Sequence, residues 1–226
     1  MKISRADITF AALNKGLSIL KFRSRINQIS KIEGIKFMAL IDEILTTNES
    51  FCANLPEEFK AYEHEDHHDS KIPSKKLAIL TCMDTRTTLF LEPAMGIKRG
   101  DAKIIKTVGN CVTGLFDTAV KSLMVAIYEL GVQEIAVVGH YECGMQKTTS
   151  ESLTNAMLAR GVSPYAIKMV EKELAEWADG FKDPAQNVRD VVKLLKNDPL
   201  IPRDVKVHGL MFHPRSGKLD LVIKDE

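Results

Sequence analysis

Cys82-Met83-Asp84-Thr85-Arg86 and, 58 positions further on, His140-Tyr141-Glu142-Cys143-Gly144 supply two thiols, an imidazole, a carboxylate and a guanidinium. Thiolate sulfur and imidazole nitrogen are donors that Zn²⁺ prefers. Cys82, His140 and Cys143 therefore read as metal ligands, and three rather than four leave one coordination position open, as a catalytic zinc requires. Two thiolates and a neutral imidazole make such a site formally neutral before water binds. Its water then ionises less readily than on an all-histidine zinc. Asp84 is the residue placed to compensate, because Arg86 can grip its carboxylate through two parallel hydrogen bonds and keep it ionised. Asp84 either accepts a hydrogen bond from zinc-bound hydroxide, an active state, or swings in as the fourth ligand, a closed one.

Taken singly, Cys82, Cys143 and His140 are the kind of residues that cores bury for packing alone. Joined as C-x-D-x-R and H-x-x-C, they point to a site. Cys52 and Cys111 read as packed thiols, with no ligand position left for Cys111 although it lies near a strand end. His64, His67 and His68 read as solvated residues of an acidic loop, and His208 and His213 as structural residues of a hairpin.

Elements that could hold these residues follow from the apolar patterning. Leu77–Thr81 is a short apolar run that suits a buried parallel strand, and Ala102–Lys106 and Ile135–Val138 read as the second and third strands. Cys82 comes directly after the first of these strands, and His140 follows the third after Gly139. Helices are expected over 37–54, 87–95, 116–130, 143–160, 164–178 and 184–197, with Gly131 stopping the 116–130 helix at its C-terminal side and Pro56 following the first helix. The apolar stripe of 116–130 is Ala119, Leu123, Ala126, Ile127 and Leu130. The segments 205–212 and 219–223, joined by Pro214-Arg-Ser-Gly-Lys218, read as an antiparallel hairpin at the sheet edge. Alternating strands and helices predict an α/β fold with a mainly parallel sheet flanked by helices. Ligands in such sheets gather at the carboxyl ends of strands, so two adjacent strand ends would unite residues 58 apart.

At 226 residues, 45% hydrophobic and 27% charged, the chain has the size and composition of one globular domain. A net charge of +1 gives no reason to expect nucleic acid, and no apolar run approaches the roughly 20 residues of a membrane span. Four cysteines, two of them in the candidate site, suit a reducing, cytoplasmic compartment better than a disulfide scaffold. Residues 1–36 carry eight Lys/Arg against Asp7 and Glu33. They read as part of an N-terminal helical arm and connector, residues 1–70, that packs on a partner subunit, ahead of a catalytic domain at 71–226; an organelle-targeting signal or a membrane-surface helix is the alternative.

The C-x-D-x-R and H-x-x-C-G motifs, the Gly109-Asn110 turn between them and the His208-Gly209 hairpin resemble the β-class carbonic anhydrases, bacterial members in particular, over roughly residues 75–225. That resemblance implies a zinc enzyme that hydrates CO₂ reversibly to bicarbonate and a proton by zinc-hydroxide attack. It further implies Cys82, His140 and Cys143 as ligands of one zinc per subunit, Asp84 and Arg86 as the catalytic dyad, and a homo-oligomer, dimer or larger, with sites at the subunit interface. The chain departs from the family's pattern once: Lys106-Thr-Val-Gly109 stands where Arg/Lys-Asn-Ala-Gly is common, which alters the pocket lining. A carbonyl sulfide or carbon disulfide hydrolase would share the metal ligands, and a zinc-bearing scaffold without activity would not need Asp84 and Arg86, both present here.

Overall fold

A computed structural model describes residues 39–60 and 71–226. The expected basic arm, the first residues of the 37–54 helix and His64, His67 and His68 lie outside the described residues. The chain divides into two compact units, Met1–Glu65 and Asp66–Glu226.

In the first unit, helix α1 spans Leu40–Ala53 and a short α2 spans Glu57–Lys60. Ala39 has no side-chain oxygen with which to cap α1, and the Asp42 carboxylate accepts the Ala39 N–H instead. At the other end Asn54 Nδ2 donates to Ser50 O, and Pro56 prevents continuation. Leu40, Ile41, Ile44 and Leu45, the apolar side expected from the sequence, are all exposed.

The second unit is built on five strands: β1 Leu77–Cys82, β2 Ala102–Thr107, β3 Glu134–His140, β4 Lys206–Phe212 and β5 Leu219–Ile223. They lie in the order β2-β1-β3-β4-β5, parallel except for the antiparallel β4–β5 pair at the edge. The mainly parallel α/β sheet and its C-terminal hairpin thus match the expected fold.

The runs that looked uniformly apolar do so because both faces are covered. Ala78 and Leu80 point to one face, where they meet Val120 and Leu123 of α4 (Thr118–Tyr128) and Val188, Val192 and Leu195 of α8 (Pro184–Asn197). Ile79 points to the other, with Leu91, Ile97, Val138 and Phe212. Each such fully buried side chain contributes about 1.5–3 kcal/mol. Helix α4 begins where Asp117 accepts the Val120 N–H at 2.9 Å, and Gly131 follows its end with φ 68°, the left-handed turn that suits glycine. Its buried residues include Val120, while Leu130 is only half-buried. Asp183 caps α8 and Pro184 starts it.

Helix α8 presses on the sheet through Val188. A Cβ at Gly139 would sit 2.6 Å from Val188 Cγ2, and one at Gly209 would sit 2.7 Å from Val188 Cγ1. Only glycine fits at either place, and Gly139 immediately precedes His140.

The structure corrects several boundaries. β1 and β3 run through Cys82 and His140, which are last rungs rather than residues beyond the strands. The expected 87–95 helix is a 3₁₀ turn, Thr85–Thr87, and a short helix α3, Leu91–Ala94, parted by Leu89 at φ 56°. The 143–160 helix starts late: a 3₁₀ turn at Gly144–Lys147 precedes α5, Ser150–Ala159, because the Thr149 side chain caps the Ser152 N–H and leaves helical geometry. The 164–178 stretch splits into α6, Pro164–Lys168, and α7, Glu171–Gly180, at Val170, whose ψ of 8° is not helical.

Candidate metal centre and active site

Because β1 and β3 are neighbours in register, with Thr81 opposite Val138, Cys82 and His140 reach the same edge of the sheet. Cys143 follows on the turn after β3. The Sγ atoms of Cys82 and Cys143 and a ring nitrogen of His140 lie within 4.8 Å of one another, and all three residues are buried. His140 Nδ1 is 2.9 Å from the Tyr141 carbonyl, which can only accept, so Nδ1 carries the proton and Nε2 offers a lone pair. That Nε2 is buried with no hydrogen-bond partner of good geometry among the described residues. An orphaned buried nitrogen beside two buried thiols is what a soft divalent metal would satisfy. The donor set fits Zn²⁺.

The thiols do not ionise alike. The hydrogen bond from Cys143 holds Cys82 well below the usual thiol range; burial opposes this, and His140 and the backbone N–H groups of Asp84 and Gly109 reinforce it. Cys143, the donor of that hydrogen bond, is pushed up correspondingly, with burial adding to the effect. Of the two thiols, Cys82 is therefore the one favoured to ionise, with Cys143 as its hydrogen-bond donor. Burial pulls the His140 imidazole down, but its contacts with Cys82, the Tyr141 carbonyl and Asp84 together outweigh burial and raise it. Metal uptake near neutral pH should therefore displace about one to two protons per ion. Apparent affinity then rises with pH by about ten- to a hundred-fold per unit, since protons compete with the metal. Calorimetric titration in buffers of different ionisation enthalpy measures the number directly.

Asp84 caps the Thr85–Thr87 turn, and this brings its carboxylate against Arg86. Arg86 donates from its backbone N–H (2.9 Å) and Nε (3.0 Å) to Asp84 Oδ1, and from Nη2 (2.8 Å) to Oδ2. This grip holds the Asp84 carboxyl down at about 2. Asp84 Oδ2 stands 3.7 Å from His140 Nε2.

Thr107 and Val108 belong to the surroundings of the site. Thr107 Oγ1 donates to the Cys111 carbonyl at 3.1 Å, and Val108 packs against Cys82, Cys143, Met145 and Phe181. Gly109 has φ 61°, and a Cβ there would lie 2.9 Å from the Phe181 ring. A pocket of about 540 Å³ opens over the centre, its walls including Met83, Asp84, Arg86, Val108 and Met145. Cys111 is half-buried, with its thiol raised to about 11 by burial and by the neighbouring Cys82, and so stays protonated. His208 accepts the Asp225 N–H, and His213 lies against the Tyr141 ring at 5.1 Å; both are hairpin residues. Cys52 is exposed rather than packed.

Sequence reasoning missed several supports. Thr87 is fully buried and donates to Asp84 O at 2.7 Å. Asn187 on α8 donates to Gly109 O at 3.0 Å. Phe181 and Met145 pack against the thiols. Glu142 and Arg215 meet beside Arg86. Only Glu142 lay inside a motif where it could have been suspected.

A carbonic anhydrase family model matches residues 77–219, most of the second unit and both motifs. The chain belongs to the β-carbonic anhydrase family. It is 41% identical over 189 residues, covering 82% of this chain and 92% of the relative, to the Bacillus subtilis protein named "Putative carbonic anhydrase YvdA". Among solved structures, the β-carbonic anhydrase isoform I of Trichomonas vaginalis superposes with a TM-score of 0.77 at 38% identity, covering 84% of this chain and all of that one. A carbon disulfide hydrolase from an Acidianus strain is 30% identical over 161 residues, 65% of this chain and 76% of the hydrolase. Like other β-carbonic anhydrases, this one has a donor set suited to zinc, here Cys82, His140 and Cys143.

Proposed function

We propose that this protein catalyses the reversible hydration of CO₂ to bicarbonate and a proton. The observation that carries the reading is the Arg86-held carboxylate of Asp84, 3.7 Å from the free nitrogen of a Cys/His/Cys donor set. Cys82, His140 and Cys143 would hold Zn²⁺. When bound, the ion supplies a Lewis acid that lowers the pKa of water toward neutrality.

The remaining work falls to the chain's own residues. Asp84, held near 2, is too acidic to take a proton at neutral pH, so it acts as an acceptor that orients the attacking water. Arg86 keeps that carboxylate charged and immobile. Met83, Val108 and Met145 give the pocket apolar wall suited to an apolar linear substrate. The water oxygen adds to the CO₂ carbon, and the released proton passes to buffer.

Relatives named carbonic anhydrase at 41% and 39% identity, against 30% for the carbon disulfide hydrolase, favour CO₂ over a sulfur-containing substrate. We extend the reading to a homo-oligomer, supported by the exposure of Met83, Leu115 and Phe116. The exposed apolar side of α1 supports an N-terminal arm, residues 1–70, that packs on a partner subunit. The need for reduced thiols supports a cytoplasmic setting; no helix among the described residues is long and apolar enough to cross a membrane.

Stopped-flow CO₂ hydration with a pH indicator, on protein of known zinc content, is the test. Zinc-dependent hydration that rises with pH is expected. Zinc-loaded protein that ignores CO₂ but releases sulfide from carbon disulfide would overturn the assignment of substrate.

A further inference from the structure

Arg86 does not hold Asp84 unaided. Its Nη2, 2.8 Å from Asp84 Oδ2, also donates to the Glu142 carbonyl at 2.9 Å, and its Nη1 faces Glu142 Oε2 at 3.5 Å. Glu142 is itself gripped: Arg215 Nη2, on the turn between β4 and β5, lies 3.1 Å from both of its carboxylate oxygens. Glu142 has φ 56°, a backbone conformation that residues with a Cβ rarely adopt, and one that helps turn its carbonyl toward Arg86. The four side chains alternate in sign from the hairpin to the site: Arg215, Glu142, Arg86, Asp84.

We propose that Glu142, clasped by Arg215, is a positioning residue that fixes Arg86 so that Asp84 stays in the dyad and off the metal. This rests on the carbonic anhydrase reading for the role of Asp84, but the placement itself does not depend on the substrate. A guanidinium anchored to both the carbonyl and the carboxylate of Glu142 cannot rotate away without breaking contacts to two groups of that residue. Once it rotates, the Asp84 carboxylate near His140 Nε2 is free to approach the ion.

Both anchor side chains are exposed, Glu142 at 51% and Arg215 at 74%, so the coupling is modest. Arg215→Ala should lower kcat about two- to five-fold, with KM, zinc content and melting temperature unchanged. Arg215→Lys should recover most of the loss. Glu142→Gln, which keeps the backbone carbonyl and the side-chain volume, should behave like Arg215→Ala.

The decisive comparison repeats Arg215→Ala in an Asp84→Asn background. There it should change kcat by less than about 1.5-fold, because the group it acts through is gone. A full additive loss in that background would indicate a general structural role and overturn the proposal. Cobalt(II)-loaded protein supplies a readout independent of substrate. Its ligand-field absorption should change on Arg215→Ala and should not change when the same substitution is made on Asp84→Asn. Identical cobalt spectra and kcat for wild type and Arg215→Ala would also overturn it. Wild-type protein inactive toward CO₂ with the cobalt pattern as expected would remove the substrate assignment and leave the positioning role supported.

Discussion

Cys143→Ala should reduce bound zinc from about one ion per chain to under about a tenth, and CO₂ hydration should fall with it. Cys82 and His140 would remain as two donors on one side of the ion, without the thiolate that closes the set from the turn after β3. The loss follows from coordination rather than packing, and Cys111→Ala provides the control. That thiol also lies in the cluster with Cys82, Cys143 and Phe181, but it stays protonated and engages Gly109 O and Asn187 Oδ1. Zinc should be retained in Cys111→Ala. Metal analysis after dialysis against a weak chelator reads both outcomes, and full retention in Cys143→Ala would remove it from the ligand set.

Asp84→Asn should keep its zinc and lose about a hundred-fold in kcat. An asparagine has nearly the same shape but carries only one acceptor oxygen. It cannot satisfy Arg86 Nε and Nη2 together, and it can turn an NH₂ donor toward the position where water must be accepted. The wild-type pH profile provides a second check. Asp84 is depressed below the ordinary carboxylate value, so its charge is fully present above that value and is lost only as pH falls through about 2. Any change in turnover between about pH 6 and 9 therefore belongs to other groups, whose midpoint Asp84→Asn should move by removing a negative charge that stands 3.7 Å from His140 Nε2. Undiminished turnover of Asp84→Asn in stopped-flow assays would contradict the orienting role.

The sheet was legible before any coordinates because its physics is local. Leu77–Thr81 and Ile135–Val138 are apolar without interruption, which only a strand covered on both faces requires. Helix α4 announced its C-terminus through Gly131. The meeting of Cys82, His140 and Cys143 was legible too, because adjacent parallel strands end at one edge. What stayed hidden depends on contacts that no local pattern records. Thr149 competes with helical continuation through its own hydroxyl, which cut the 143–160 helix short. Asn187 meets the Gly109 carbonyl across 78 positions, and Arg215 meets Glu142 across 73. Neither has a periodicity to betray it.

Cys82 and His140 are the final rungs of two central strands, and His140 is paired directly with Phe212 on the next. Asp84, Arg86, Glu142 and Val108 all stand on turns beyond those rungs. Descendants of such a fold can therefore diverge in two registers at different speeds. Two of the metal donors, Cys82 and His140, are inherited with the sheet, since moving either would unpair a strand in the middle of the core. The turn residues, Val108 among them, can change singly and alter what the pocket admits without disturbing what holds the ion. A lineage containing both carbonic anhydrases and carbon disulfide hydrolases is the kind of history that this division allows.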